Sequence, residues 1–434
     1  MSIYDKASLI QIPSGYKAGE LYSVIPNSGA GDFTHTRNGT ATRVNSQGLI
    51  ETVNANVPRL DYPFIDGVVQ DCPHLLLEPQ RTNYAPYSED FNNWGDVGTT
   101  ITPNAIISPN GTLDASKLVS TTNNWRKSSS FTASSGVTYT FSIYAKLDTS
   151  TSTTTTRLEV YNGAGSLAAN YNLSNETISN SGFTSVFIER LENDWYRIGG
   201  TYTAGGTNNI LYVYPSAGYG TAGTMYFWAA QQEAGTYASS YISTNGSPVT
   251  RLVDQCEIAS GLEDVIGQTE GTFFIDFEFL YETTTDSSTD AFRDYFALGN
   301  TADLSEAIYF DNFRSQFRVF IAGSGMTTIS IGNNSTGASQ PNTRYKLAVK
   351  YKTGDCKAYL NGSLLGSSTG TVNFASVLNG IFFSYNSGSR PYKNQKKVYG
   401  LMMFKEALSD SELETITSYS SFNSMATALG YKII

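Results

Sequence analysis

Val137-Thr-Tyr-Thr-Phe-Ser-Ile-Tyr-Ala-Lys146 alternates without a break, and a period of two commits the backbone to an extended strand. Successive strand side chains leave on opposite faces, so Val137, Tyr139, Phe141 and Ile143 share one face that must be covered. Further runs of this kind occupy Trp195 to Tyr202, Asn209 to Tyr214 and Thr224 to Trp228, separated by Gly, Asn and Ser. Many short strands with one apolar face each predict an antiparallel jelly-roll sandwich over residues 84–250. The composition fits half-buried strands: aromatics make up 13% of the chain and charged residues only 15%, with Ser, Thr, Asn and Gly filling the polar positions.

At 434 residues the chain is too long for one ordinary core, and its pattern breaks twice. Residues 1–83 carry Pro13, Pro26, Pro58, Pro63, Pro73 and Pro79 among many turns. Proline fixes φ and removes a donor, so this part is expected to be an extended, loop-rich attachment segment packed on something else. Residues 251–434 return to strands, plainest at 271–279, 345–351, 356–362 and 397–404, with Asn361-Gly362 as a two-residue hairpin turn. After Phe404, Ser409 and Glu412 have the spacing of a capping box at the start of a short C-terminal helix. The expected fold is therefore all-β: an extended N-terminal segment followed by two β-sandwich domains.

Four blocks carry a family resemblance. Ala41 to Glu51, Pro58 to Tyr62 and Leu75 to Asn83 fall in one order, and Trp228 to Asp254 runs from a closing strand through a Gly, Ser and Pro turn to Arg251 and Asp254. Together they resemble virion proteins of tailed bacteriophages. The middle region resembles the carbohydrate-binding-module-like domains of phage tail and fibre proteins, and the last resembles a concanavalin A-like, laminin-G-type sandwich. The resemblance implies a structural component of a head or tail fibre or spike, on the virion surface and assembled in the host bacterial cytoplasm. It implies contacts with other virion proteins through residues 1–83, a homotrimer, and adhesion to a host-surface glycan by the projecting sandwiches. It also makes Arg251 and Asp254 the anchor of the last domain. Two alternatives stand beside it: a decoration protein of capsid or tail with a purely structural role, and a polysaccharide depolymerase.

The residues exclude several chemistries. A formal charge of −10 and a pI near 4.8 disfavour a phosphate-binding surface, so no nucleic-acid partner is expected. No run approaches the ~20 apolar residues of a membrane span, and the start lacks a basic-then-apolar leader, so no membrane insertion is expected. Cys72, Cys256 and Cys356 are odd in number and far apart, which predicts buried free thiols. With only His35 and His74, zinc and Ser-His-Asp chemistry have no donors to use, and no phosphate-cradling Gly-Lys-Ser or Gly-Lys-Thr is present. No catalytic residue, resident metal or cofactor is assigned.

Three weaker candidates remain. Asp276 and Glu278 share one face of a strand and are the only residues on which a glycosidase could be argued; their spacing to Glu282 departs from the Glu-x-Asp-x-Glu of concanavalin-like endoglucanases, and a solvated outer face is the plainer expectation. Calcium, which laminin-G-type domains sometimes bind, has only Asp311-Asn312 to point to, expected between strands. A basic stretch, Arg390, Lys393, Lys396, Lys397 and Lys405, suits an acidic neighbour or a solvated loop. For a sugar, whose apolar faces are edged by hydroxyls, the chosen residues are Trp125, Arg126 and Asn124, with Asn123 beside them; Trp195 and Trp228 are assigned to core packing and Trp94 to the start of the middle domain.

Overall fold

A computed structural model describes residues 3–17, 20–121, 126–280, 294–300, 306–313, 316–324, 326–332, 342–383 and 396–418. Nearly every regular element among them is a strand, so the all-β expectation holds. The middle sandwich has two six-stranded antiparallel sheets. One runs in the order Gly95–Val97, Arg126–Thr132, Asn208–Tyr214, Thr155–Tyr161, Ser166–Asn172, Thr177–Ser179. The other runs Thr100–Ile107, Leu113–Ser120, Gly223–Ala234, Thr138–Leu147, Tyr196–Thr203, Ser185–Arg190. Tyr139, Phe141 and Ile143 point into the core between them, as their alternation requires, beside Leu158, Val160, Leu211 and Val213 of the facing sheet, whereas Val137, expected on the same face, falls just before the strand Thr138–Leu147 and is exposed.

The last sandwich is built from two larger sheets, and the N-terminal segment supplies strands to both. In one, Lys396–Phe404 pairs with Glu270–Phe279 on one side. On its other side it meets Ala7–Lys17 along Leu401 to Phe404 and His74–Leu77 along Lys396 to Val398. In the facing sheet, Thr34–Thr36 pairs with Gln255–Ile258 at the edge. Phe273, Ile275, Phe277 and Phe279 fill the core between these sheets. Asn361 and Gly362, at φ 49° and 80°, turn the chain from Cys356–Leu360 into Ser363–Ser368 as their side chains allow. The capping box is formed too: the Ser409 N–H donates to Glu412 Oε2 at 2.8 Å and the Glu412 N–H to Ser409 Oγ at 3.4 Å, ahead of the helix Asp410–Ser418.

Each sandwich has one sheet whose outer face is covered by distant chain. On the middle sandwich, Tyr144, Trp195, Trp228 and Tyr241 lie on an outer face and are buried with Ile50, Val44 and Phe64 of the N-terminal segment. Trp195 and Trp228 are thus packed as expected, but under the segment and not between the sheets. On the last sandwich, Phe274, Met402 and Phe404, with Ile10 of the adjoining strand, are buried under Ile3 and the helix residues Leu413 and Ile416. The extended segment is the layer that both sandwiches share.

The fold corrects four expectations. Asp276 and Glu278 are not a solvated face: Asp276 is fully buried and Glu278 nearly so. Lys396 and Lys397 are not part of a solvated basic loop, because Lys396 is buried with its ammonium on the Phe383 carbonyl at 2.8 Å, and Lys397 pairs with Glu278; Arg390 and Lys393 lie outside the described residues. Asp311 and Asn312 sit within the strand Ala307–Phe313, their backbones paired with Arg318 and Phe317, and not between strands; their side chains are outside the described part. All three cysteines are free, yet Cys72 is exposed, while Cys256 and Cys356 are buried.

Candidate functional site

The joint between the three parts of the chain is a buried ionic cluster to which the blocks that carry the family resemblance give Arg59, Glu78, Arg251 and Asp254, joined by His35 and Arg37 from just before the first block. Asp254 has no solvent exposure. Its Oδ1 accepts from Arg37 Nη1 at 2.9 Å with His35 Nε2 at 3.4 Å, and its Oδ2 accepts from Arg59 and from the Glu78 N–H at 2.9 Å. Glu78 in turn receives Arg59 Nη1 at 2.7 Å, Arg251 Nη1 at 2.8 Å, and the Ser240 N–H and Oγ–H at 2.8 and 2.7 Å. Burial alone raises a carboxyl, but Arg251, Arg59 and Ser240 override it and bring Glu78 down to about 2. Asp254 is held lower still: burial opposes ionisation, and Arg59, His35 and Arg37 outweigh it. Asn83 completes the join by satisfying its whole amide, donating to the Ala230 and Ile242 carbonyls and accepting from the Gln232 and Ala85 N–H groups. Asp254, just ahead of the strand Gln255–Ile258, ties that end of the last sandwich to Arg37 and Arg59 of the N-terminal segment, while Arg251 holds Glu78, Ser240 and the Pro79 carbonyl. With every charge spoken for, this cluster is a fastening and offers nothing to a ligand.

Asp276 and Glu278 are engaged in the same way. Arg344 grips Asp276 through Nε and Nη2, both at 2.7 Å, and Lys397 Nζ and Tyr399 Oη donate to Glu278 at 2.7 and 2.9 Å. Burial pushes the Glu278 carboxyl up, but Lys397 and His74 beside it leave it below the usual range. A glycosidase acid needs the opposite, a carboxyl held protonated near neutrality. Among the described residues no group of three metal-ligating side chains comes together.

The sheet of the middle sandwich that faces away from the N-terminal segment is the open one. Alternation sends Lys127, Ser129 and Phe131 inward and leaves Arg126, Ser128, Ser130 and Thr132 outward; on the neighbouring strand Leu211 and Val213 go in while Asn208, Ile210 and Tyr212 face out. The register sets Ser128 opposite Tyr212 and Thr132 opposite Asn208. The Arg126 guanidinium lies 4.0 Å from the Tyr212 ring centroid and donates to Tyr214 Oη at 3.2 Å. Tyr214 Oη donates to Glu159 Oε2 at 2.9 Å, and Arg157 contacts the same oxygen at 3.4 Å. Burial first, and Glu159 after it, push the Tyr214 hydroxyl up to about 12, so it stays a donor at any ordinary pH. Along the same seam Ser130, Phe131, Thr132, Thr207 and Asn208 line a shallow cavity of about 250 Å³. Above the Arg157 stem, the loop through Gly218 holds Tyr219 with 77% of its surface exposed.

Of the three residues chosen from sequence, Arg126 stands on this face; Asn124 and Trp125, with Asn123, lie outside the described residues. Tyr212, Arg157, Glu159 and Tyr219 were missed. Alternation in Asn209 to Tyr214 puts Tyr212 and Tyr214 on the face opposite Leu211 and Val213, but only the fold decides that Tyr212 is half-buried on an open face while Tyr214 is buried. Only the register reveals that Glu159 lies opposite Tyr212 on the next strand.

No family model matches the chain, and no curated protein does. Among solved structures it is similar to the carbohydrate-binding module of a Ruminococcus gnavus sialidase bound to α2,3-sialyllactose, at 14% identity over 36% of this chain and 87% of that one, with a TM-score of 0.28. It is similar to the binding domain of botulinum neurotoxin serotype G at 12% identity, over 38% of this chain and 40% of that one, TM-score 0.29. It is also similar to a Streptococcus pneumoniae sialidase at 17% identity, over 37% of this chain and 26% of that one, TM-score 0.28. The chain thus spans less than half of the toxin domain and of the pneumococcal enzyme. Values of this size assign neither ligand nor activity to this chain.

Proposed function

We propose that this chain is a non-catalytic structural and adhesion protein of a tailed-phage particle, and that it holds host-surface glycan on the open sheet of its middle sandwich. The observation that carries the adhesion is the outward set Arg126, Tyr212, Arg157 and Glu159, backed by the buried Tyr214, a ring edged by donors and acceptors on the one sheet of that sandwich the N-terminal segment leaves uncovered. Sugars pair an apolar ring face with hydroxyl edges, and this combination answers both. The particle context rests on the four sequence blocks, whose residues Arg59, Glu78, Asn83, Arg251 and Asp254 supply the joint. In this reading other virion proteins are its partners, and a homotrimer would multiply weak contacts by raising the effective concentration of sites.

The test is a glycan array probed with the full chain, followed by Tyr212→Ala and Arg126→Ala. Hits that fall by about tenfold or more in either variant, the size expected for a stacked ring or a charge-assisted hydrogen bond, support the reading. A blank array, or hits that both variants retain in full, sinks the adhesion; failure to find the chain in purified particles sinks the virion assignment separately.

A further inference from the structure

We infer that the open face takes an internal stretch of a linear polysaccharide laid along the seam between strands Arg126–Thr132 and Asn208–Tyr214, and does not clasp a terminal sugar. The inference rests on the glycan reading above and adds the mode of recognition. The seam has two unlike ends. At one, Arg126 stacks on Tyr212 and bonds to Tyr214, with Glu159 and Arg157 on the next strand. At the other lies the shallow cavity of about 250 Å³ edged by Ser130, Thr132 and Asn208, all three exposed and uncharged. The six residue steps from Arg126 to Thr132 separate the ends by roughly 20 Å at the usual strand rise. That length exceeds one sugar ring and matches several in succession.

The polar groups also have the wrong layout for an end-on site. A pocket for a terminal sugar converges its donors and acceptors on one enclosed volume. Here they are strung out in register, Ser128 with Tyr212, Ser130 with Ile210, Thr132 with Asn208, with Arg126 beyond them bonded to Tyr214. Ser128, Ser130, Thr132, Asn208 and Tyr212 present a hydroxyl, amide or ring to the same side, so a chain lying over the seam meets a polar group about every two residues. The Ser130, Thr132 and Asn208 end suits hydroxyl-rich units, and Tyr212 offers a ring to a unit further along.

A size ladder of oligosaccharides, cut from one polysaccharide retained on the array, tests this by calorimetry or surface plasmon resonance. Affinity should climb with chain length until the seam is spanned and then level off, and chains blocked at both ends should bind as well as unblocked ones. In Thr132→Ala/Asn208→Ala, whose side chains are exposed, the levelling should come at a shorter length and the longest chains should lose about tenfold in affinity, the size of one or two hydrogen bonds. Affinity that does not depend on length, or that vanishes when the ends are blocked, overturns the inference while leaving glycan adhesion intact. If no saccharide of any length binds, the adhesion reading fails and this one with it. The ladder on the unaltered protein decides the matter even if the double variant unfolds.

Discussion

Replacing Asp254 by Asn keeps the shape of the side chain and removes the charge that Arg37 and Arg59 share. The carboxylate is fully buried, and it accepts from Arg37 Nη1, from Arg59 and from the Glu78 N–H. An amide can still accept at one position, but its NH₂ now points a donor at a donor. Arg59 keeps Glu78, but Arg37 is left with only the Gly39, Val57 and Asn54 carbonyls to offset its desolvation, and breaking a buried pair in this way costs about 3–5 kcal/mol. Urea unfolding of the full chain, followed by tryptophan fluorescence, should show a lower midpoint for the phase that reports on the joint. Coupling gives a sharper criterion: Arg37→Met should cost at least ~1 kcal/mol less in the Asp254→Asn background than in the natural one, because the partner has already gone. An unshifted midpoint, or strictly additive effects, would refute the view that this cluster fastens the N-terminal segment to the sandwiches.

Acid should loosen the same joint. Glu78 drops from an ordinary 4.5 to about 2 on folding, so its contribution, about 3 kcal/mol, is complete above pH ~4.5 and disappears as pH falls towards 2; stability measured from pH 6 to pH 2 should decline in that window, and a flat profile would contradict the assignment. Asp276→Asn and Glu278→Gln should lower stability by removing partners from Arg344 and Lys397, yet leave any polysaccharide-cleaving activity of the preparation unchanged; a selective loss of cleavage would restore the glycosidase alternative. Gly199→Ala should destabilise the middle sandwich by at least about 2 kcal/mol, since a Cβ there would stand 2.1 Å from the Phe141 carbonyl oxygen and 2.7 Å from the Phe187 ring; a melting temperature equal to the parent's would show that the strands can part at little cost.

Much of the local structure could be read directly from residue order. The period of two in Val137 to Lys146 sends Tyr139, Phe141 and Ile143 to the core, the Asn361-Gly362 pair makes its turn, and Ser409 with Glu412 starts the helix. These are decided within a few residues by sterics and short hydrogen bonds, which is why a sequence exposes them. Alternation also names a second face on every strand, but it does not say what that face meets. The outer face carrying Asp276 and Glu278 reads as solvated because charged residues usually are, and it is buried because Arg344, Lys397 and Tyr399 come from strands remote in sequence. Residues 1–83 read as loop-rich from their prolines, and their strands become visible only through partners such as Leu401 to Phe404, far along the chain. The sequence by itself determined the β-sandwich character and the identity of the core faces, because both follow from local periodicity. The tertiary structure alone decided which polar faces are covered and which stay open, because Asp254 finds Arg37 from 217 residues away and only the folded chain brings such distant groups into one dry place.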